Sequence, residues 1–159
     1  MKTMNKYIES VFTKSDPLLE DVLHSIEENG MPSKSVSPSS GQLLTLLASM
    51  SKAKHVLEIG ALGGYSGICL LRGTEPGGTL TSLELQESYA ELAKNNVTKA
   101  GFGDRVSYRT GLALESLSAL ESEGKQFDFF FIDADKESYP AYLEACIRLA
   151  EQGARHCGG

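Results

Sequence analysis

Apolar residues recur at helical spacing in two segments near the start of the chain. In the first segment, Asp16-Pro17 has the pattern of an N-cap followed by a first-turn proline, and Gly30 is a natural stop. Ser37-Pro38 gives the same start signal in the second segment. The two apolar stripes are Leu18, Leu19, Val22, Leu23 and Ile26, and Leu43, Leu44, Leu46, Leu47 and Met50. The pattern predicts two helices, and the Ser/Pro-rich residues 33–40 have the composition of a hinge or lid.

From residue 55 onward, short apolar runs alternate with segments of helical periodicity. Such alternation with short loops predicts right-handed crossovers and a parallel sheet with helices on both faces, the α/β class. The predicted strands cover residues 55–59, 79–84, 105–109 and 127–132, and the predicted helices cover about 65–72, 86–100, 112–122 and 137–150. No internal repeat is evident, so we predict one domain over residues 1–159, with N-terminal helices in 1–52 and the αβ core in 53–153.

The composition is that of an ordinary globular protein, with 41% hydrophobic and 23% charged residues. The net charge of −6 gives no general attraction to nucleic acid or to an anionic membrane, although it does not exclude a local basic patch. Residues 1–10 lack the apolar core of a signal peptide, and no apolar run approaches the roughly 18 residues that span a bilayer. These features favour a soluble, cytoplasmic protein without a membrane partner.

The three cysteines are few and are not spaced as metal ligands. We predict that Cys69 and Cys146 are buried thiols and that Cys157 is a thiol in the tail. This usage is typical of a reducing compartment.

A glycine-rich turn follows the first predicted strand. Glycines at 60, 63 and 64 tolerate positive φ and bring the backbone close to a ligand, and the next helix offers free N–H groups to a carboxylate or phosphate. A tight strand-to-helix turn without a ligand is the alternative interpretation. Leu62 stands where the dinucleotide fingerprint has its second glycine, so a cofactor without a pyrophosphate is favoured over NAD.

Two carboxylates belong to the same region of the predicted sheet. Glu84 ends the second strand, where a carboxylate accepts hydrogen bonds from both hydroxyls of a ribose. Glu58 lies inside an apolar strand, so it requires a partner, either in the glycine loop or in a cationic part of a ligand. Residues at or just past strand carboxyl ends, where ligands bind in such sheets, are Gly60, Glu84, Gly111 and Asp133.

Four sequence segments together resemble a known family, the cation-dependent O-methyltransferases. They are residues 36–44 (VSPSSGQLL), residues 57–66 (LEIGALGGYS), Glu84, and residues 131–136 (FIDADK). The family includes the catechol and caffeoyl-CoA enzymes and their bacterial relatives, which use S-adenosylmethionine (SAM). The resemblance covers about residues 31–153 and implies a Rossmann-like SAM methyltransferase fold.

The resemblance also implies a role for individual positions. Val36 and Ser66 would contact the methionine part of SAM, and Tyr65 would pack close by. Glu84 would bind the ribose hydroxyls. The floor beneath the methionine would consist of Glu58, Gly60 and Ala61, and the adenine would lie at Ala113, just after Gly111.

At the reaction centre, the resemblance implies that Asp133 ligates a divalent cation, usually magnesium, and that Lys136 is the general base. The acceptor would be a small hydroxylated molecule, and the enzyme would be a homodimer. Tyr139 would border the acceptor pocket. Asp135 is interpreted as solvated or as a helix cap.

The last residues depart from the family pattern. Gly153 should introduce a further buried strand that ends in an Asp-Asn pair, but residues 154–159 are polar and glycine-rich. We therefore expect an aberrant tail and a domain that lacks its C-terminal strands. Asp133 would then bind magnesium weakly, and the strand at 127–132 would be an exposed edge.

The sequence is compatible with three functions. The first is a SAM- and cation-dependent O-methyltransferase acting on a phenolic acceptor, either a small catechol-like molecule or a phenol linked to acyl-CoA. In a variant of this function, the methyl acceptor is a hydroxylated uridine of tRNA. The acidic composition of the chain disfavours an RNA acceptor. The second is a catalytically impaired SAM-binding or dimerisation module. The third, a nucleotide-dependent oxidoreductase, is disfavoured by Leu62.

Overall fold

The computed structural model of the chain describes residues 16–32 and 35–150. The predictions made for residues 1–10, for part of the Ser/Pro-rich loop, and for the tail with Cys157 lie outside these described residues. Within the described part, no helix is both long and apolar enough to cross a bilayer.

Helices and strands occur in the predicted order. The helices are α1 (Pro17–Glu28), α2 (Pro38–Met50), α3 (Tyr65–Gly73), α4 (Glu87–Lys99), α5 (Ala113–Ser122) and α6 (Tyr139–Leu149). The strands are β1 (His55–Ile59), β2 (Thr79–Glu84), β3 (Val106–Thr110) and β4 (Phe129–Ile132), and a short 3₁₀ turn covers Gly103–Arg105. The first two strands match the prediction, while β3 begins one residue later and β4 two residues later than expected.

Polar caps start the first two helices at the predicted positions. The Asp16 carboxylate accepts a hydrogen bond from Leu19 N at 3.2 Å, and the Ser37 hydroxyl accepts one from Ser40 N at 3.2 Å. Each bond satisfies a backbone N–H that has no partner inside its helix. Asp16 also pairs with Arg72 at 2.6 Å, which joins the start of α1 to the end of α3.

The four described strands form one parallel sheet in the order β3-β2-β1-β4. Its two faces carry separate apolar cores, so the prediction of helices on both faces is confirmed. One face packs against α1 to α4 through residues such as Ile26, Ala48 and Ile68. The other packs against α5 and α6 through residues such as Leu117 and Leu149. Cys69 is buried in the first core and Cys146 in the second, as predicted.

At the β4 side of the described sheet, Phe127 forms an isolated parallel bridge with Ala150. The Phe127 N–H donates to the Leu149 carbonyl at 2.9 Å. The chain after α6 therefore returns to the sheet alongside the segment that leads into β4.

A close helix contact makes Gly73 sensitive to substitution. A Cβ at this position would overlap the Thr45 carbonyl group and approach Ala48 Cβ to 2.8 Å, so α2 and α3 would have to separate. We expect Gly73→Ala to lower the free energy of unfolding by about 2 kcal/mol, the usual cost of overpacking. Urea unfolding measures the change. Gly103→Ala is the control, because the three atoms nearest to a Cβ there all belong to the Thr98 side chain, at 3.0–3.3 Å. Equal losses of unfolding free energy in the two variants would contradict the prediction.

Candidate functional site

The glycine turn joins β1 to α3 through an unusual backbone. Three of its residues have positive φ: Gly60 at 101°, Leu62 at 45° and Gly64 at 91°. Leucine rarely adopts this conformation because its Cβ is crowded there. The turn is therefore a strained loop that its surroundings must hold.

The space left by the three missing side chains is filled by protein. A Cβ on Gly60 would lie 2.7 Å from the Asp133 carbonyl oxygen, and one on Gly64 would lie 2.9 Å from the Ala93 carbonyl oxygen. A Cβ on Gly63 would overlap the Ile26 side chain. The glycines thus let a neighbouring strand end and two helices pack on the loop, as the alternative of a tight strand-to-helix turn implies. Close approach of a ligand to the loop stays a prediction.

A small cleft lies over this loop, at the carboxyl end of β1. Six of the residues predicted as site residues line it together: Val36, Gly60, Ala61, Tyr65, Ser66 and Asp133. Ser35, Leu62 and Gly63 complete the lining. Among the predicted site residues in this lining, Val36 and Asp133 are the farthest apart in the sequence, by 97 positions.

Glu58 lies beneath the cleft and is fully buried. Its two carboxylate oxygens accept hydrogen bonds from two hydroxyls, Ser66 Oγ on one oxygen and Ser82 Oγ at 2.8 Å on the other. Burial raises the pKa of Glu58 to about 7, although the two hydroxyls act in the opposite direction. Glu58 therefore joins the first turn of α3 to β2, and its two hydroxyl partners lie just outside the glycine loop in which a partner was predicted.

Glu84 fixes the other side of the loop. One carboxylate oxygen accepts from Leu62 N at 3.0 Å, and the other accepts from Gln86 N at 2.9 Å. The side chain is almost buried, and each oxygen retains a further acceptor lone pair. Glu84 is thus held in one orientation with the capacity to accept two more hydrogen bonds.

Gly111 and Ala113 lie next to Glu84 at the end of β3. Gly111 N donates to the Glu84 carbonyl at 3.1 Å, and Ala113 is the first residue of α5. Gly111 has a φ of 118°, and a Cβ there would meet no atom within 4 Å. It also borders a shallow depression with Leu112. Unlike the glycines of the loop, Gly111 faces open space.

The turn after β4 carries the predicted reaction groups. Asp133 N donates to the Ile59 carbonyl at 3.0 Å, which continues the pairing of β4 with β1. Partial burial raises the pKa of the Asp133 carboxyl. Asp135 accepts from Ser138 N at 3.1 Å and from Ser138 Oγ at 2.9 Å, so it closes the turn that leads into α6, whose N-cap is Ser138. Lys136 is exposed in this turn.

The described residues contain no group of three or more His, Cys, Asp or Glu side chains placed to hold a metal. Asp133 is the carboxylate that lines the cleft, and Asp135 lies outside that lining and accepts hydrogen bonds from Ser138. Because Mg²⁺ binds near-octahedral oxygen sets, one carboxylate does not by itself fit a magnesium site.

Two buried polar residues of this region are not among the site residues predicted from the sequence. Ser82 is fully buried on β2 and donates to Glu58, and its position in the strand alternation was the available signal. Asn96 is buried on α4 and donates to the Gly63 carbonyl at 2.8 Å. The sequence signal for the burial of Asn96 was its spacing of three and six residues from Ala93 and Ala90, which places all three on one helix face.

Comparison with known proteins places this geometry in context. The family model that matches residues 9–155 is described as O-methyltransferase. The chain is 42% identical to a catechol O-methyltransferase of Mycobacterium tuberculosis over 151 residues, which cover 95% of this chain and 68% of that protein.

Solved structures agree in fold. An O-methyltransferase from Bacillus cereus in complex with SAH has a TM-score of 0.89 and 43% identity, over 94% of this chain and 68% of that one. The O-methyltransferase TomG from Streptomyces achromogenes, in complex with SAM, has a TM-score of 0.86 and 35% identity, over 94% of this chain and 67% of that one.

Proposed function

Because the chain belongs to the O-methyltransferase family and is a SAM-dependent enzyme of that class, we propose that it methylates a hydroxyl of a phenolic, catechol-like acceptor. The observation that carries this proposal is the cleft over the glycine loop, which gathers the positions expected to hold SAM and Asp133, expected at the reaction centre. The net charge of −6 favours a small acceptor over tRNA.

In this proposal the two ends of SAM bind on opposite sides of the loop. The methionine end lies in the cleft near Val36 and Ser66, over a floor of Gly60 and Ala61 that Glu58 supports from below, with Tyr65 beside it. The ribose binds to Glu84, whose oxygens are already oriented by two backbone N–H groups. The adenine lies near Gly111 and Ala113, where the surface is open.

Glu84→Gln tests the ribose contact. An amide nitrogen donates instead of accepting, so it loses one of the two backbone hydrogen bonds, and the bonds to the ribose lose the charge of the carboxylate. We expect the Kd for SAM to rise about thirtyfold, as for the loss of one hydrogen bond to a charged group. Isothermal titration calorimetry measures it. Glu87→Gln, at an exposed position of the first turn of α4, is the control, and an unchanged Kd in Glu84→Gln would remove Glu84 from the ribose site.

The reaction itself is an in-line displacement, in which the acceptor oxygen attacks the methyl carbon and the sulfonium leaves as a neutral thioether. The acceptor hydroxyl must lose its proton, and we assign this proton to the amine of Lys136. Holding the two substrates together in one site provides much of the remaining acceleration. A divalent cation, when bound, would make ionisation of the acceptor easier.

The fit of a cation is poor among the described residues, since Asp133 is the carboxylate available in the cleft. We therefore assign no step to the cation. The same observation favours a second candidate function, a module that binds SAM but does not transfer its methyl group efficiently.

One experiment separates the two candidates. The protein is incubated with SAM carrying a labelled methyl group and with catechol, in the presence of either Mg²⁺ or EDTA, and SAM binding is measured in parallel. Methyl transfer supports the enzyme, and a requirement for millimolar Mg²⁺ supports the weak cation site. SAM binding without transfer to catechol, or in a parallel incubation to tRNA that carries the hydroxylated uridine, supports the binding module. Absence of SAM binding contradicts both.

Pairing of two chains is a further part of the proposal. Four large apolar side chains lie exposed along one face of α2: Leu43, Leu46, Leu47 and Met50, with exposed fractions of 44–71%. This helix carries no charged residue. In a protein with a net charge of −6, an uncharged apolar face allows two copies to approach without repulsion between acids. Light scattering should give twice 17.1 kDa.

The remaining assignments are also proposals. We infer a reducing, cytoplasmic setting because Cys69 and Cys146 are both free and buried. We also propose that residues 1–52 and 53–153 form parts of one domain, because α1 and α2 share a core with β1 and α3.

A further inference from the structure

Asn96 joins three separate parts of the fold. It is 4% exposed, and its Nδ2 donates to the Gly63 carbonyl at 2.8 Å and to Ser25 Oγ at 2.9 Å. A carbonyl oxygen only accepts, which fixes the amide end that faces the loop. Ser25 Oγ donates onward to the Val22 carbonyl at 2.7 Å within α1. One buried amide thus links α4, the glycine loop and α1.

The loop requires such support because of the positive φ at Leu62. A leucine keeps this conformation only where the surrounding contacts hold it. Two side chains provide hydrogen bonds at consecutive residues: Glu84 accepts from Leu62 N, and Asn96 donates to the carbonyl of Gly63. Glu84 belongs to the proposed SAM site, whereas Asn96 contacts the loop from α4 and is not a residue of that site.

Helix α1 packs against the same point of the loop. Ile26 is 2% exposed, and its side chain fills the space next to the Gly63 Cα, where a Cβ would overlap it. Ser25, the preceding residue of α1, receives the second hydrogen bond of Asn96. Gly63 is therefore held by Asn96 through its carbonyl and by α1 through its Cα.

We propose that Asn96 is a positioning residue for SAM and that α1 is part of the SAM-binding unit. Asn96 contacts no SAM atom in this arrangement; it sets the orientation of the peptide between Gly63 and Gly64, next to the cleft. Docking of α1 and binding of SAM then favour each other, because both stabilise one loop conformation. The inference rests on the proposed SAM site.

The test compares Asn96→Ala, Ser25→Ala and the control Gly73→Ala, which loosens the fold at the opposite end of α3. At a temperature where all remain folded, we expect the SAM Kd to rise about tenfold in Asn96→Ala, because the hydrogen bond to the Gly63 carbonyl is lost together with the bond to Ser25. We expect a rise of about threefold in Ser25→Ala, where the bond to Gly63 remains but Asn96 loses its second partner. Gly73→Ala should keep the wild-type Kd. The KM for SAM should rise with the Kd, while kcat at saturating SAM changes less.

Amide hydrogen exchange gives a readout that needs no bound ligand. Exchange at residues 60–66 should accelerate in Asn96→Ala and stay unchanged in Gly73→Ala, and SAM should protect α1 in the wild type but not in Asn96→Ala. A Kd within twofold of wild type, together with unchanged loop exchange, overturns the role of Asn96. Lack of protection in α1 overturns the coupling. If the wild type binds no SAM, the proposed SAM site fails, whereas loop exchange still decides whether Asn96 orders the loop.

Discussion

Replacing Lys136 with methionine is expected to lower kcat for methyl transfer by about 10²–10⁴-fold, the usual contribution of a general base, with little change in SAM affinity. Lys136 lies exposed in the turn between β4 and α6, three residues after Asp133, which lines the cleft. Methionine keeps a long unbranched side chain but cannot take the acceptor proton. Initial rates at saturating SAM and catechol measure the effect, and calorimetry measures the Kd for SAM.

Lys125→Met provides the matched control. Lys125 is also exposed, but it lies in the loop that precedes β4, at the amino ends of the strands. We expect wild-type kcat in this variant. If Lys136→Met also retained wild-type kcat, the proton would have to leave by another route and Lys136 would have no role in the reaction.

The second large effect is a pH dependence of stability that arises from Glu58. Burial raises the pKa of this carboxyl from 4.5 to about 7, so the folded state favours the protonated form more than the unfolded state does. Below pH 4.5 both states are protonated and no stability is lost. As the pH rises from 4.5 to about 7, the Glu58 carboxyl ionises in the unfolded state before it ionises in the folded state. The folded state loses about 3 kcal/mol in total, and the loss is complete above pH 7.

Urea unfolding between pH 4 and pH 8 measures this loss. Glu58→Gln cannot ionise, so the difference in free energy of unfolding between Glu58→Gln and wild type should change by about 3 kcal/mol in favour of the variant across the range. Glu87→Gln, which changes an exposed residue of α4, should show no such pH-dependent difference. Parallel curves for wild type and Glu58→Gln would show that Glu58 ionises normally in the fold.

Much of the fold was predictable because local signals agree with the tertiary structure. Asp16 and Ser37 mark helix starts by a cap that depends only on neighbouring residues. The strands β1 and β2 are short apolar runs between turn residues, and both match the predicted bounds. The family motifs then predicted which strand ends carry the site, and the cleft joins residues taken from three of those segments.

The remaining features depend on partners that are distant in the sequence. The space next to Gly63 is taken by Ile26, and nothing near residue 63 indicates that neighbour. Asn96 occurs in a polar stretch of α4, so its two hydrogen bonds cannot be read from local pattern. Likewise, the pKa of Glu58 depends on the depth of its burial, which the alternation of β1 suggests but does not measure.

The bonds that hold the glycine loop also bear on when this site forms during folding. Asn96 and Ser25 are 71 residues apart, and Leu62 and Glu84 are 22 apart. Closing such long chain segments costs entropy before any contact compensates for it. On a ribosome, residues 60–64 leave the exit tunnel well before Asn96 does. We therefore expect the loop to reach its folded conformation only after α4 is available, so a nascent chain that ends before α4 would contain the whole glycine motif without the hydrogen bond that Asn96 gives it.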